Sequence, residues 1–195
     1  VLPEAKSNLY IDTLCDICKK ERITLLFPGL DAELMPLALN KEKFKEIGTR
    51  VIVSNPDVIN ISNDKILTYK YLNSLNFKIP ETIETHLFIP DSLCYPFIVK
   101  PRHEGCRSKN VYKIYNKNDW ENFLHNHEKN ISSFISMEFI NGDEYTCGTV
   151  NINYCRGVII MRRMLRNGDT YKCFVENDEI IHSCVESLMN KLLPF

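Results

Sequence analysis

The chain has 195 residues, of which 44% are hydrophobic and 25% charged, and its formal net charge is -1. That length suits one large domain or two small ones with a real core, and the near-neutral charge excludes a global field that would recruit nucleic acid or an anionic membrane surface. No apolar run approaches the ~20 residues of a membrane helix, and no stretch has the pattern of a signal peptide.

In chain order, Tyr10 to Arg22 has helical period, with Ile11, Leu14, Cys15 and Cys18 on one face and Lys19-Lys20 late in the helix, where the dipole favours cations. Cys15 and Cys18 form a single C-x-x-C among eight cysteines (the others are Cys94, Cys106, Cys147, Cys155, Cys173 and Cys184). Zinc would want a second pair or spaced histidines. A redox motif is the alternative, but the apolar face favours burial as small hydrophobes. A secreted disulfide framework would be shorter and poorer in helix, so reduced thiols and a cytoplasmic location are expected.

Ile23 to Phe27 reads as a short strand buried on both faces. Pro28-Gly29 breaks it, and Asp31 is placed to cap the next helix, which carries Leu34, Leu37, Ala38 and Leu39. A lysine-rich segment with Phe44 and Ile47 ends at Gly48, and Val51 to Val53 reads as another buried strand. This alternation predicts part of a parallel α/β sheet. Asn55-Pro56 opens one long helix that runs through Asn63-Asp64-Lys65 to Leu75 and closes at Asn76. Phe77 to Thr82 is an extended connector through Pro80, and β-type residues dominate after it, so a boundary is expected near Pro80.

The second region opens with a strand at Thr85 to Ile89, then Phe97 to Lys100, a polar loop, and Val111 to Ile114. A strand ending in a lysine, followed by a turn with Arg102, His103, Gly105, Arg107, Ser108 and Lys109, can hold phosphate, and can equally be an exposed basic hairpin. Asn118 to Asn126 is a short helix with Trp120, Phe123 and Leu124 on its apolar face; core packing accounts for the Trp. His125 and His127 do not share a helix face, which argues against metal binding. Phe134 to Ile140 is a strand turned by Asn141-Gly142. Tyr145 to Tyr154, Val158 to Leu165 and Tyr171 to Val175 then form a meander, with Cys155-Arg156-Gly157 as the first hairpin and Asn167-Gly168 as the second turn. Ile180 to Leu193 closes as a helix.

Four segments carry chemistry: Asp64-Lys65, Lys100, the Gly105 loop, and Met137-Glu138-Phe139-Ile140 with Gly142-Asp143-Glu144. A purine needs an acceptor for its exocyclic amine, a backbone N–H for a ring nitrogen and apolar faces, while a polyphosphate suits two lysines. Together with PGLDAEL, the stretches VIVSNPDVINISNDKILTYKYLNSLNFKIPET, PFIVKPRHEGCRSKNV and ISMEFINGDEYT resemble, in order and spacing, the ATP-grasp superfamily in its carbamoyl-phosphate-synthase-large-subunit-like branch.

The resemblance implies an α/β fold, more fully an α+β ATP-grasp fold: a partial N-terminal parallel α/β lobe, then ATP-grasp lobes with antiparallel sheets. Residues 1–56 would be the C-terminal part of the N-terminal lobe, 57–80 a connecting helix and linker, 81–138 the small ATP-binding lobe and 139–195 the start of the larger one. It implies nucleotide contacts at Lys65, Lys100, Gly105, Ser108, Glu138, Phe139, Ile140 and Glu144. Lys65 and Lys100 would meet phosphates, and Lys100 adenine N7 as well. Glu138 would accept from the adenine amine, with Phe139 beside it, while Ile140 would give a backbone N–H to the ring. Glu144 would hold ribose hydroxyls. Arg163 would face the transferred phosphate, with Arg162 as its alternative, and Pro28 to Leu34 would overlook the substrate side. On the residues alone, Lys65 reads equally as a solvated helix lysine, Glu144 as an edge-strand charge and the arginine pair as a solvated strand face. Glu138, in an otherwise apolar strand, is expected to be buried with a partner.

Cys106, Arg107 and Asn110 stand where the family's phosphate loop has small residues or glycine, and Gly148 where aspartate is common. The chain starts at Val1 and stops abruptly at NKLLPF, so an internal fragment of a longer protein is expected. No E-x-N-x-R motif occurs, so the ligands of the implied Mg are expected beyond residue 195. The implied activity is ATP-dependent carboxylate–amine ligation through an acyl phosphate, with ATP and a small-molecule carboxylate as partners, no nucleic acid or membrane, and a homodimer left open. A nucleotide-binding module without turnover, and a scaffold that keeps the fold only, are the rival readings.

Overall fold

The computed structural model describes residues 1–88, 92–103, 109–152, 154–166 and 168–192. Gly105, Cys106, Arg107 and Ser108 lie outside the described residues, as does Ile89. The chain divides into two compact units, residues 1–60 and 61–194.

The first unit runs α1 (Tyr10–Lys20), β1 (Leu25–Leu26), α2 (Asp31–Leu39), α3 (Lys41–Glu46) and β2 (Arg50–Val51), and α4 (Pro56–Asn63) begins in it. β1 and β2 pair in parallel, with Leu26 opposite Val51. Both belong to one apolar cluster with Tyr10, Leu14, Cys15 and Cys18 of α1, Leu37 of α2 and Phe44 of α3. The two cysteines are therefore core atoms, and burial raises the pKa of both thiols. The first strand is not buried on both faces as its apolar run suggested. Leu26 faces the cluster, but Leu25 is 51% exposed and Phe27 65%, because successive strand residues point to opposite sides and helices cover only one of them.

Asp31 does not cap α2; it is the helix's first residue. Leu30 precedes it and has no polar side chain, so Glu33 serves the open amides instead. Its Oε2 accepts from the backbone N–H of Gly29 (2.8 Å) and Leu30 (3.0 Å), and its Oε1 from the Tyr10 hydroxyl (2.9 Å). Those bonds hold Glu33 below the usual carboxylate range, while burial and the Glu33 partner push Tyr10 up to about 12. Gly48 ends the α3 turn at φ 83°, a left-handed position that glycine takes without strain.

The second unit holds α5 (Lys65–Ser74), β3 (Thr82–Glu84), β4 (Phe97–Pro101), β5 (Tyr112–Ile114), α6 (Lys117–His127), β6 (Phe134–Glu138), β7 (Glu144–Ile152), β8 (Tyr154–Arg166), β9 (Asp169–Glu176) and α7 (Glu179–Lys191). A four-stranded sheet, ordered β3-β6-β4-β5, is antiparallel throughout. Phe97 and Val99 alternate onto one face, where Trp120 and Phe123 of α6, Phe134 and Ile114 complete an aromatic core. His127 sits against Phe123, its ring centroid 4.6 Å away, as part of that stack. The strand expected at Thr85 is a short 3-10 turn, Thr85–Leu87. Thr85 turns its hydroxyl to the buried Ser136 hydroxyl, 3.2 Å away, and the ladder with β6 is made by Thr82 to Glu84 instead.

β7, β8 and β9 form the antiparallel meander. Its first hairpin is not at Cys155-Arg156-Gly157. Ile152 pairs with Tyr154, so Cys155 and Gly157 are strand residues beside a register shift. Gly148 packs tightly under Ile159, where an added Cβ would come within 2.9 Å of the Ile159 Cγ2.

The expected single long helix is two. Asp64 interrupts it in extended conformation and caps α5, its carboxylate accepting from Ile66 N–H (2.9 Å) and Leu67 N–H (3.4 Å). The break is held by tertiary structure: Arg102, just past β4, donates from Nε (3.0 Å) and Nη2 (2.7 Å) to the same carboxylate. Its Nη1 donates to Glu84 Oε2 at 2.9 Å.

Two outcomes are expected. Phe97→Ala should cost about 3–5 kcal/mol by opening the aromatic core, read as a lower urea midpoint with an unchanged slope. Arg102 and the capped amides hold the Asp64 carboxyl below its usual range. Its folded pKa is depressed, so its stabilisation is complete above the unfolded value of about 4 and is lost as pH falls through the folded value. Asp64→Asn should therefore cost on the order of 2 kcal/mol at neutral pH, with the gap to the unsubstituted chain narrowing below about pH 4. Urea unfolding across that range measures it; a pH-independent gap would contradict the assignment.

Candidate nucleotide site

Lys100 lies on the face of the four-stranded sheet opposite its aromatic core, whereas Glu138 is the ladder partner of Phe97. Along β4, Ile98 and Lys100 point away from the side taken by Phe97 and Val99. Across the ladder Ile98 meets Met137 on β6 and Lys113 on β5, and Lys100 meets Ile135. Helix α5 lies over this face. Its Tyr69 hydroxyl accepts from Lys100 Nζ (3.1 Å) and donates to Met137 Sδ (3.2 Å), and the Lys100 ammonium is 5.5 Å from the Tyr69 ring centre.

Lys65 is four residues before Tyr69, hence on the same face of α5 one turn away. Its backbone N–H and its ammonium both donate to Arg102 C=O, at 3.2 and 3.4 Å. Burial lowers the Lys65 pKa, the nearby Lys100 charge lowers it further, and Asp64 opposes both. Two ammonium groups are thus held together at the start of α5, one of them partly stripped of water.

The next candidates follow β6. Glu138 is exposed, so the expectation of a buried carboxylate is overturned: it is the last residue of β6. Its Oε2 accepts from Glu81 N–H (3.2 Å), and its own N–H donates to Glu81 C=O (2.8 Å), which extends the β3–β6 pairing by one residue. Phe139 is half-buried under the Lys113 ammonium, 3.4 Å from the ring centre, and Ile140 is 59% exposed.

On the meander, Glu144 is the register partner of Arg163, and their side chains pair at 3.2 Å. Arg163 Nη1 also donates to Thr146 (3.2 Å), while its Nε is buried without a hydrogen-bond partner among the described residues. Arg162 points to the other face, where it pairs with Glu176 and lies 5.5 Å from the Phe174 ring centre. That carboxylate raises the Arg162 pKa.

Lys65 and Lys100 are therefore brought together, Glu144 and Arg163 are brought together, and Glu138, Phe139 and Ile140 lie on the chain between. Tyr69, Glu84 and Lys113 were not assigned from sequence, and Arg102, read as part of a turn that can hold phosphate, is instead bonded to Asp64 and Glu84. Lys113 alone had a readable signal, because pairing β4 with β5 puts it on the Lys100 face. Asn110 adopts φ 57°, a left-handed conformation that glycine and asparagine share, so it forms a turn where glycine was expected. A cavity of about 330 Å³ lies elsewhere, lined by Val158, Ile160, Val175, Glu176, His182 and Ser183. Among the described residues, no three His, Cys, Asp or Glu side chains converge as a metal site, and no helix is long and apolar enough to cross a membrane.

A family model described as an ATP-grasp domain matches residues 62–194, and one described as a PylC-like, N-terminal domain matches residues 1–52. A D-alanine–D-alanine ligase from Petrotoga mobilis is 32% identical over 107 residues, which is 55% of this chain and 35% of that protein. N5-carboxyaminoimidazole synthetase from Staphylococcus aureus, solved with ADP, aligns with a TM-score of 0.67 at 17% identity over 96% of this chain and 50% of its own. D-alanine–D-alanine ligase from Bacillus anthracis, solved with ATP, aligns at 0.58 and 20% over 90% and 63%. The solved structures show the fold alone, and the chain spans only 35% of the curated relative's length. With its larger unit matched almost end to end and antiparallel sheets where that fold has them, the chain belongs to the ATP-grasp family.

Proposed function

We propose that the chain binds ATP, with its phosphates at Lys65 and Lys100, and that the whole protein is an ATP-dependent carboxylate–amine ligase. The observation that carries the reading is the lysine pair: two cations that share one place on α5 and β4, with burial and mutual repulsion lowering the Lys65 pKa. Glu138 accepts from the adenine amine, Phe139 and Ile140 line the ring with Ile140 N–H facing a ring nitrogen, and Glu144 takes ribose hydroxyls. Arg163, rather than Arg162, faces the transferred phosphoryl. The support is that Arg162 is committed to Glu176 while the buried Arg163 Nε has a donor to spare. Gly105 and Ser108 are assigned to the phosphates on sequence grounds only.

ATP supplies the phosphoryl group. A substrate carboxylate oxygen forms the new bond to the γ-phosphorus as the bond to ADP breaks, and an amine then displaces phosphate from the acyl carbon, giving up a proton. The lysines offset charge on the transferring group and orient it. Magnesium, when bound, would offset charge on the phosphates; among the described residues no cluster of acidic side chains is formed to hold it. The similarity to a D-alanine–D-alanine ligase supports the reaction class. A carbamoyl-phosphate-synthase-like specificity rests on the sequence resemblance alone. Turnover-free nucleotide binding is the second reading, favoured by Cys106 and Arg107 in the phosphate loop.

Calorimetric titration of this chain with ATP tests the proposal. Lys100→Ala should weaken binding at least about tenfold, the loss of one charged hydrogen bond or more, with an unchanged melting temperature; unchanged affinity would refute the site. Glu138→Ala should shrink any preference for ATP over GTP by about tenfold, as competition titrations would read; an unaltered preference removes Glu138 from the adenine site.

A further inference from the structure

We propose that Arg102, clamped between Asp64 and Glu84, is a positioning residue that sets the separation of the Lys65 and Lys100 ammonium groups; this rests on the nucleotide reading above. Lys65 directly follows Asp64 in the chain, and Lys100 lies two residues before Arg102. Whatever fixes Asp64 to Arg102 therefore fixes the start of α5 to the end of β4, and with them both lysine backbones.

The fastening is multiple. Asp64 and His103 form an antiparallel bridge. Lys65 N–H donates to Arg102 C=O (3.2 Å), and Arg102 N–H donates to Ser133 C=O (2.8 Å), at the start of β6. The guanidinium spans α5 and β3 through Asp64 and Glu84. Asp64 is only 6% exposed, so the pair operates where water competes little.

Arg102 is engaged by carboxylates at all three nitrogens: its Nε, Nη1 and Nη2 each already donate to one. Two carboxylates on one guanidinium also leave net negative charge beside the lysine pair, which tempers the repulsion between the two ammonium groups. Lysine could not substitute, because a single ammonium cannot make the planar two-point contact with Asp64 while reaching Glu84.

The test is a double-mutant cycle read by calorimetric ATP titration of this chain. Arg102→Met should weaken ATP binding about tenfold, and Arg102→Lys should recover little of it. In the Lys100→Ala background Arg102→Met should add less than about twofold, because its effect passes through the lysine it positions. Unchanged affinity in Arg102→Met, or losses that simply multiply in the double variant, would overturn the inference. Should Arg102→Met not fold, as thermal melting would reveal, Glu84→Gln at the more exposed end of the clamp takes its place. It should weaken binding about threefold, and not at all with Lys100→Ala present; no loss in Glu84→Gln alone overturns the inference. An unsubstituted chain that does not bind ATP, or a Lys100→Ala variant that binds normally, sinks the nucleotide reading and this inference with it. A weakened Lys100→Ala beside unaffected Arg102 and Glu84 variants sinks only the latter.

Discussion

The two-point ion pair between Arg102 and Asp64 is the constraint on which the larger unit's organisation depends. A carboxylate this buried is costly unless its oxygens are satisfied, and here they take two helix-capping amides and two guanidinium donors. One residue thereby ends α4, starts α5 and ties the new helix to the sheet. Had the helix continued through Asp64, Lys65 and Tyr69 would be rotated and displaced relative to β4, and the lysine pair would not exist.

The sheet beneath divides labour by alternation. One face of β4 and β6 is closed by Phe97, Val99, Phe134 and the α6 aromatics. That closure frees the other face to carry Ile98, Lys100, Lys113 and Met137. Rigid apolar packing on one side is what allows charged side chains to be held at defined positions on the other. The meander repeats the logic with its two arginines: neighbours in sequence, they face opposite sides, one absorbed by Glu176 and the other turned to Glu144 with a donor unused.

The helices were legible because their signals are local. The face of Ile11, Leu14, Cys15 and Cys18, the Trp120 and Phe123 stripe, and Gly48 and Asn76 as stops need only period and backbone preference. Several misreadings involved partners remote in sequence. A continuous apolar run at Ile23 to Phe27 does not say how many faces will be covered. Thr85 left its expected strand for a hydroxyl 51 residues away. The first hairpin of the meander was placed too late in the chain, because the glycine stands beside a bulge rather than in a turn. Glu138 looked buried amid apolar neighbours, yet it stands at a strand end.

Four motifs in register made the ATP-grasp family legible from the residues alone, and Lys100 was legible as a strand-end lysine because that is a local feature; Lys65 was read inside a continuous helix, whereas it opens α5. The sequence by itself did not determine that the helix breaks at Asp64, that Arg102 spends its donors on two carboxylates, or which of two adjacent arginines keeps a spare N–H. Those depend on contacts across 38 and 18 residues of chain and on the hand of each strand's alternation. Only the folded arrangement decides them, since local preference at Asp64 is compatible with continuing a helix or capping one, and the free energy that chooses comes from a guanidinium far along the chain.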